Sequence, residues 1–229
     1  MKYKTIVLLG TSHISPKSIR AIKNIIDEIH PGIVAVELDH KRLNALLHQQ
    51  QKSHLSLHAL WKVGLKGFLF AMIGSYIQRK LGKLVGVEPG ADMLTAVTLA
   101  RRNKIPVALI DQDIEVTLSR FSSKLTWREK GRFLVDIGRG ILFKKKELER
   151  WGLSDIDLQS VPPEQVITQL LSHMKVRYPT VYQVLIKERN VIMARRLVRL
   201  ASEHEGKIIL AVIGAGHEKD VLSLIKMYS

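Results

Sequence analysis

Four short runs of Val, Ile, Leu and Ala recur along the chain, at 5–9, 33–38, 106–110 and 208–213, each apolar at nearly every position. Continuous apolar runs of this length, bounded by turn residues, predict strands buried on both faces. Between the first two, Ile19, Ile22, Ile25, Ile26 and Ile29 repeat at helical spacing. Ser15 and Pro16 open that helix and His30-Pro31-Gly32 stops it. A strand, one helix and a second strand in this span favour parallel pairing.

Helical periodicity then takes over. Residues 40–48 place Leu43, Leu46 and Leu47 on one side, and 49–58 break the pattern. From 59 to 84 Trp61, Leu65, Phe68, Leu69, Met72, Ile73, Tyr76 and Ile77 form a broad apolar face bordered by Lys62, Lys66, Arg79 and Lys80. That face is broader than one domain edge normally exposes, so it is expected to meet a second subunit or an anionic membrane surface. Residues 93–103 read as a helix, and 114–143 alternate helical patches with basic residues before a polar stretch that ends at Pro162-Pro163. The span 114–175 is expected to be a helical insertion within a single domain covering 1–229. A long helix over 179–203, apolar on nearly all sides, delivers the chain to the last strand.

Composition narrows the function classes. With 229 residues and 46% apolar content the chain can bury a core of its own. The absence of cysteine removes a disulfide framework, a thiolate zinc site and a cysteine nucleophile together. The N-terminal apolar run is shorter than a signal h-region. Lys62, Lys66, Ser75 and three glycines interrupt the stretch 60–77, which is too polar for a transmembrane span. The expected location is the cytoplasm or the cytoplasmic face of a membrane. A formal charge of +15 attracts anionic partners. Nucleic acid is disfavoured, because aromatics are only 6% and no basic-aromatic recognition motif occurs.

Chemistry-bearing groups follow the strands: His13, Glu37, Asp111 and His217. In open α/β sheets ligands bind beyond the carboxyl ends of the strands, so the four are expected in one crevice. Gly10-Thr11-Ser12-His13 and Gly214-Ala215-Gly216-His217 share a pattern in which a strand-ending glycine turns the chain and places a histidine in a surface loop. Glu37 lies inside a run that otherwise reads as sheet core, where a lone carboxylate costs several kcal/mol, so it needs a metal or a cationic partner. Arg42 is the nearest candidate in sequence.

These blocks, taken in order, resemble the TraB family. They are the Gly-x-x-His start, Val36-Glu37-Leu38-Asp39 with Arg42, and Pro89-Gly90-Ala91-Asp92-Met93. They continue with Leu109-Ile110-Asp111-Gln112-Asp113-Ile114, Glu188-Arg189-Asn190 with Met193-Ala194, and the final Gly-x-x-His. The family includes bacterial pheromone-shutdown proteins, archaeal homologues and the Tiki metalloproteases. Archaeal relatives often continue into C-terminal membrane helices, whereas this chain stops at Ser229. The resemblance implies an α/β fold of the erythromycin-esterase/ChaN-like type, with a mixed, largely parallel sheet flanked by helices. It maps His13 and His217 onto the two motif histidines, Glu37 and Arg42 onto the charged pair after the second strand, and Glu188, Arg189 and Asn190 onto the late helical block. Gln112 departs from the family, which commonly has arginine there. Consecutive helical residues point about 100° apart, so these last three cannot all face one site; Arg189 is expected there and Glu188 on another face.

The resulting expectation is a metal-dependent hydrolase, peptide-directed, with zinc, cobalt or manganese held by His13, His217 and Glu37. Glu37, Arg42, Arg189 and Asn190 form the catalytic set, and Asp92, Asp111 and Glu188 are further site candidates. The substrate is expected to be a peptide or small anion, and the protein a homodimer. Direct activation of water by Glu37 and a histidine is the metal-free alternative. A non-catalytic module that sequesters a peptide, haem or another ligand is the rival.

Overall fold

The computed structural model describes residues 1–12, 15–48, 90–142 and 164–229. His13 and the apolar face of 59–84 lie outside the described residues. Five strands form one sheet: β1 (Lys2–Tyr3), β2 (Ile6–Thr11), β3 (Ile33–Val36), β4 (Val107–Leu109) and β5 (Ile209–Gly214). Their order is β1-β2-β5-β3-β4. Pairing is parallel throughout except for β1, which runs antiparallel to β2. The four apolar runs are thus four parallel strands, and the sheet is mixed but largely parallel. The two-residue edge strand β1 was not visible in the charged N-terminal start, because so short a segment has no period to read.

The described helices are α1 (Pro16–Ile29), α2 (His40–Leu47), α3 (Ala91–Arg102), α4 (Ile114–Lys124), α5 (Trp127–Leu142), α6 (Glu164–Arg177), α7 (Pro179–Tyr182), α8 (Glu188–Glu203) and α9 (Ala215–Tyr228). A π-helical turn, Gln183–Lys187, joins α7 to α8, so the long helix expected over 179–203 is continuous but locally widened. No helix of the described residues is long and apolar enough to cross a membrane.

Side-chain alternation along the strands divides the core into two layers. Ile33 and Ala35, with Ile209, Ala211 and Ile213, pack on Met193, Ala194 and Leu197 of α8 and on Val221 and Ile225 of α9. Val34 and Val36, with Leu210 and Val212, pack on Ile22 and Ile26 of α1 and on Met93, Ala96 and Val97 of α3. This period of two fixes the next residues as well. Glu37 continues the phase of Ile33 and Ala35 and is aimed at α8 and α9. Thr11 follows Val7 and Leu9 toward α3. The parallel pairing brings the ends of β2, β5, β3 and β4 to one edge of the sheet.

Candidate active site

Glu37 sits immediately beyond β3 and is 4% exposed. Its backbone N–H donates to Val212 (3.1 Å). Its Oε2 accepts from the backbone N–H of Gly214 at the end of β5 (2.6 Å). Its Oε1 accepts from Arg189 Nη2. The cationic partner that a carboxylate in sheet core requires is therefore Arg189, not Arg42, the nearest candidate in sequence. The reason is the strand phase: Glu37 points to the α8 layer, whereas Arg42 lies on α2.

Asp111, beyond β4, is the hub of the charges. Arg189 Nε lies 3.0 and 3.1 Å from its two carboxylate oxygens, and Nη2 lies 2.5 Å from Oδ2. Arg42 Nη2 donates to the same Oδ2, and Arg196 Nη1 donates to the Asp111 carbonyl. Burial works against the charge on Asp111, but Arg189 and Arg42 outweigh it and hold this carboxyl below the usual carboxylate range. The same contacts, working against burial, raise both guanidinium groups further above neutrality.

Asp39 organises Arg42. It caps α2 by accepting from Lys41 N (2.8 Å) and Arg42 N (3.0 Å), takes Arg42 Nε on its other oxygen (2.6 Å), and accepts from Ile114 N at the start of α4 (3.1 Å). Gln112 is buried and donates to Thr117 Oγ1 (2.9 Å). It holds the turn rather than supplying charge.

His217 is the third residue of α9 and is 6% exposed. The expectation of a surface loop is corrected: Gly214-Ala215-Gly216 starts the helix directly, and the histidine is buried in its first turn. Gly214 has an ordinary extended backbone (φ −60°), so a strained turn is not its role. Gly10 serves space instead, since a Cβ there would lie 3.2 Å from Ala215 Cα and 2.3 Å from Glu218 Oε2.

Asn190 fixes the imidazole. Its Nδ2 donates to Asp220 Oδ2 (3.2 Å), and its Oδ1 lies 2.5 Å from His217 Nδ1. A carboxylate only accepts, which orients the amide; the amide oxygen only accepts, so His217 Nδ1 must carry a proton. His217 Nε2 then lies 3.4 Å from both Glu37 Oε1 and Arg189 Nη1. Arg189 and Asn190 both reach the site, while Glu188 faces the other way, pairing with Arg120 (3.1 Å) and Lys124 (2.8 Å) of α4.

Asp92, in the first turn of α3, is buried and accepts from Thr11 Oγ1 (2.6 Å). Thr11 also bonds the Ile213 carbonyl (3.2 Å), which ties the first Gly-x-x-His segment to the last strand. Sequence reasoning missed Thr11, Asp39, Arg196 and Asp220. Arg196 had a signal, lying seven residues beyond Arg189 and hence on the same helix face.

The sequence profile of the TraB/PrgY/gumN family matches residues 2–228. The chain belongs to this family. It is 34% identical over 225 residues to an uncharacterized protein of Methanocaldococcus jannaschii, covering 96% of this chain and 53% of that protein. It is 25% identical over 237 residues to a TraB domain-containing protein of Homo sapiens and to one of Mus musculus, covering 93% of this chain and 60% of each. The chain therefore spans between half and two thirds of the length of these relatives. In this TraB-family chain Glu37, Arg42, Asp111, Arg189, Asn190 and His217 occupy one cluster at the strand ends.

Proposed function

We propose that this TraB-family chain is a peptide-directed hydrolase in which His217 Nε2 accepts a proton from water. The observation that supports this most is the fixed tautomer. With Nδ1–H committed to Asn190, Nε2 keeps its lone pair as the acceptor, facing Arg189 Nη1 at 3.4 Å.

Proton removal from water at Nε2 lets the hydroxide oxygen bond to the peptide carbonyl carbon. Glu37 Oε1, 3.4 Å from Nε2, stabilises the imidazolium that forms. An arginine has five N–H donors. On Arg189 one goes to Asp111 from Nε, Nη2 serves Glu37 and Asp111, and one on Nη1 goes to Leu185 O. The fifth, on Nη1, is turned to His217 Nε2 (3.4 Å); once Nε2 has taken its proton it can no longer accept this N–H, which is then released to the oxyanion. Collapse of the tetrahedral intermediate breaks the C–N bond, Nε2–H gives its proton to the leaving amine, and the new carboxyl ionises. Arg42 acts at one remove, holding Asp111 and through it Arg189. The helices of 114–175 are read as an insertion within the same domain.

A metal-dependent form of this reading uses His13, His217 and Glu37 as ligands to zinc, cobalt or manganese. The 3.4 Å between Glu37 Oε1 and His217 Nε2 equals the edge of a tetrahedral site with ligand distances of about 2.0–2.1 Å. As they stand, however, these two groups do not make a metal site, because the Arg189 guanidinium lies against both. Among the described residues no three His, Asp or Glu groups converge as ligands.

The test is incubation of the protein with a peptide pool in ¹⁸O-labelled water. Hydrolysis yields new carboxyl termini carrying the label. Stoichiometric retention of peptides without product would instead make the chain a sequestering module.

A further inference from the structure

Helix α5 carries its two acidic residues, Glu129 and Asp136, on the side packed against the protein. A capping box opens it: Glu129 N donates to the Thr126 hydroxyl oxygen (3.2 Å), and Thr126 N donates to Glu129 Oε2 (3.2 Å). The other oxygen of Glu129 takes Thr180 N at the start of α7 (2.7 Å). One turn on, Phe133 meets Tyr178 edge-on, with ring centroids 6.2 Å apart. Asp136 then binds Arg177 and the Tyr178 hydroxyl. Among the described side chains of α5, Glu129, Phe133 and Asp136 face the protein.

The opposite stripe is apolar. Trp127 is 82% exposed and Val135 is 52% exposed. They stand at steps of four residues with Gly131 between them, where an added Cβ would meet nothing within 4 Å. Arg128, Arg132 and Arg139 run beside this stripe and are exposed. Lys130 lies over the Trp127 ring, 3.9 Å from its centroid. Both acidic residues of α5 face inward, so every charge on its outer side is positive.

We propose that α5 docks this protein on an anionic lipid surface, with Trp127 and Val135 entering the headgroup boundary and Arg128, Arg132 and Arg139 meeting lipid phosphates. The charge complementarity selects the lipid. A cationic border beside an apolar stripe is the composition of interfacial helices, and tryptophan prefers the depth at which its ring is buried and its N–H is wet.

Sedimentation of the full chain with vesicles tests this. Phosphatidylglycerol-containing vesicles should carry the protein down at low salt and pure phosphatidylcholine vesicles should not. Arg128→Gln and Arg139→Gln should each weaken binding about fivefold. The Trp127→Ser/Val135→Ser double variant should weaken it at least about tenfold. Unchanged melting would show that the fold is kept, since these side chains are exposed. In a Trp61→Phe/Trp151→Phe background, Trp127 fluorescence should shift to the blue on the anionic vesicles. Equal binding to both lipids, or double-variant binding like that of the wild type, overturns the proposal. So does a dimer that the double variant dissociates and that ignores vesicles, which would put a second copy on this face.

Discussion

Arg189 meets Asp111 side-on, with Nε 3.0 and 3.1 Å from the two carboxylate oxygens and Nη2 2.5 Å from Oδ2. The contact joins α8 to the end of β4 and leaves one edge of the guanidinium for Glu37 and His217. Asp111→Asn leaves buried guanidinium groups undercompensated, and should cost about 3–5 kcal/mol of stability. Urea denaturation at neutral pH measures it.

The same carboxyl makes stability depend on acid. Its pKa in the folded protein is below the ordinary value of about 3.9. Its contribution is therefore fully present above that ordinary value and is lost as pH falls through the lower, folded one. Stability of the wild type should decline below about pH 4, and the Asp111→Asn variant should show a shallower decline over the same range. Denaturation midpoints measured between neutral pH and strong acid decide this.

Asn190 acts by position. Asn190→Ala frees the imidazole to take the other tautomer and should lower turnover about 10–100-fold with KM little changed. Nitrogen NMR of His217 supplies a readout that a merely structural role would leave alone. The protonated nitrogen should be Nδ1 in the wild type and a mixture in the variant.

Removal of metal separates the two forms of the proposed chemistry. With Arg189 against both Glu37 and His217, exhaustive chelation should leave hydrolysis unchanged. Titration calorimetry with zinc, cobalt and manganese should show no binding that His217→Ala removes. Activity lost on chelation and restored by one of these ions would place the ion, rather than Arg189, between the two groups.

Gly10→Ala pushes a methyl toward the Ala215 backbone and the Glu218 carboxylate. It should cost about 1–3 kcal/mol. Combining it with Glu218→Ala should return part of that loss, since the closer clash is with a side chain and the backbone contact remains. Thermal denaturation of the three variants checks the pattern.

The four parallel strands and the helix α1 were legible in the sequence because runs buried on both faces and an Ile repeat leave unmistakable periods. The ends of the strands located the cluster for the same reason. The partners did not follow. Glu37 and Arg42 are five residues apart, yet the strand phase sends Glu37 to Arg189, which is 152 residues away. Asp39 and Asp220 act through caps and amide contacts whose residue types occur throughout any chain. His217 looked like a loop residue because glycines preceded it, whereas the chain passes from β5 into α9 without a loop.

In the proposed chemistry His217 Nε2 moves the proton. Turnover on a cleaved peptide, measured for the wild type and for His217→Gln at matched folded fraction, tests it most directly. kcat should fall about 10²–10⁴-fold with folding retained. Turnover in the variant equal to that of the wild type would contradict it.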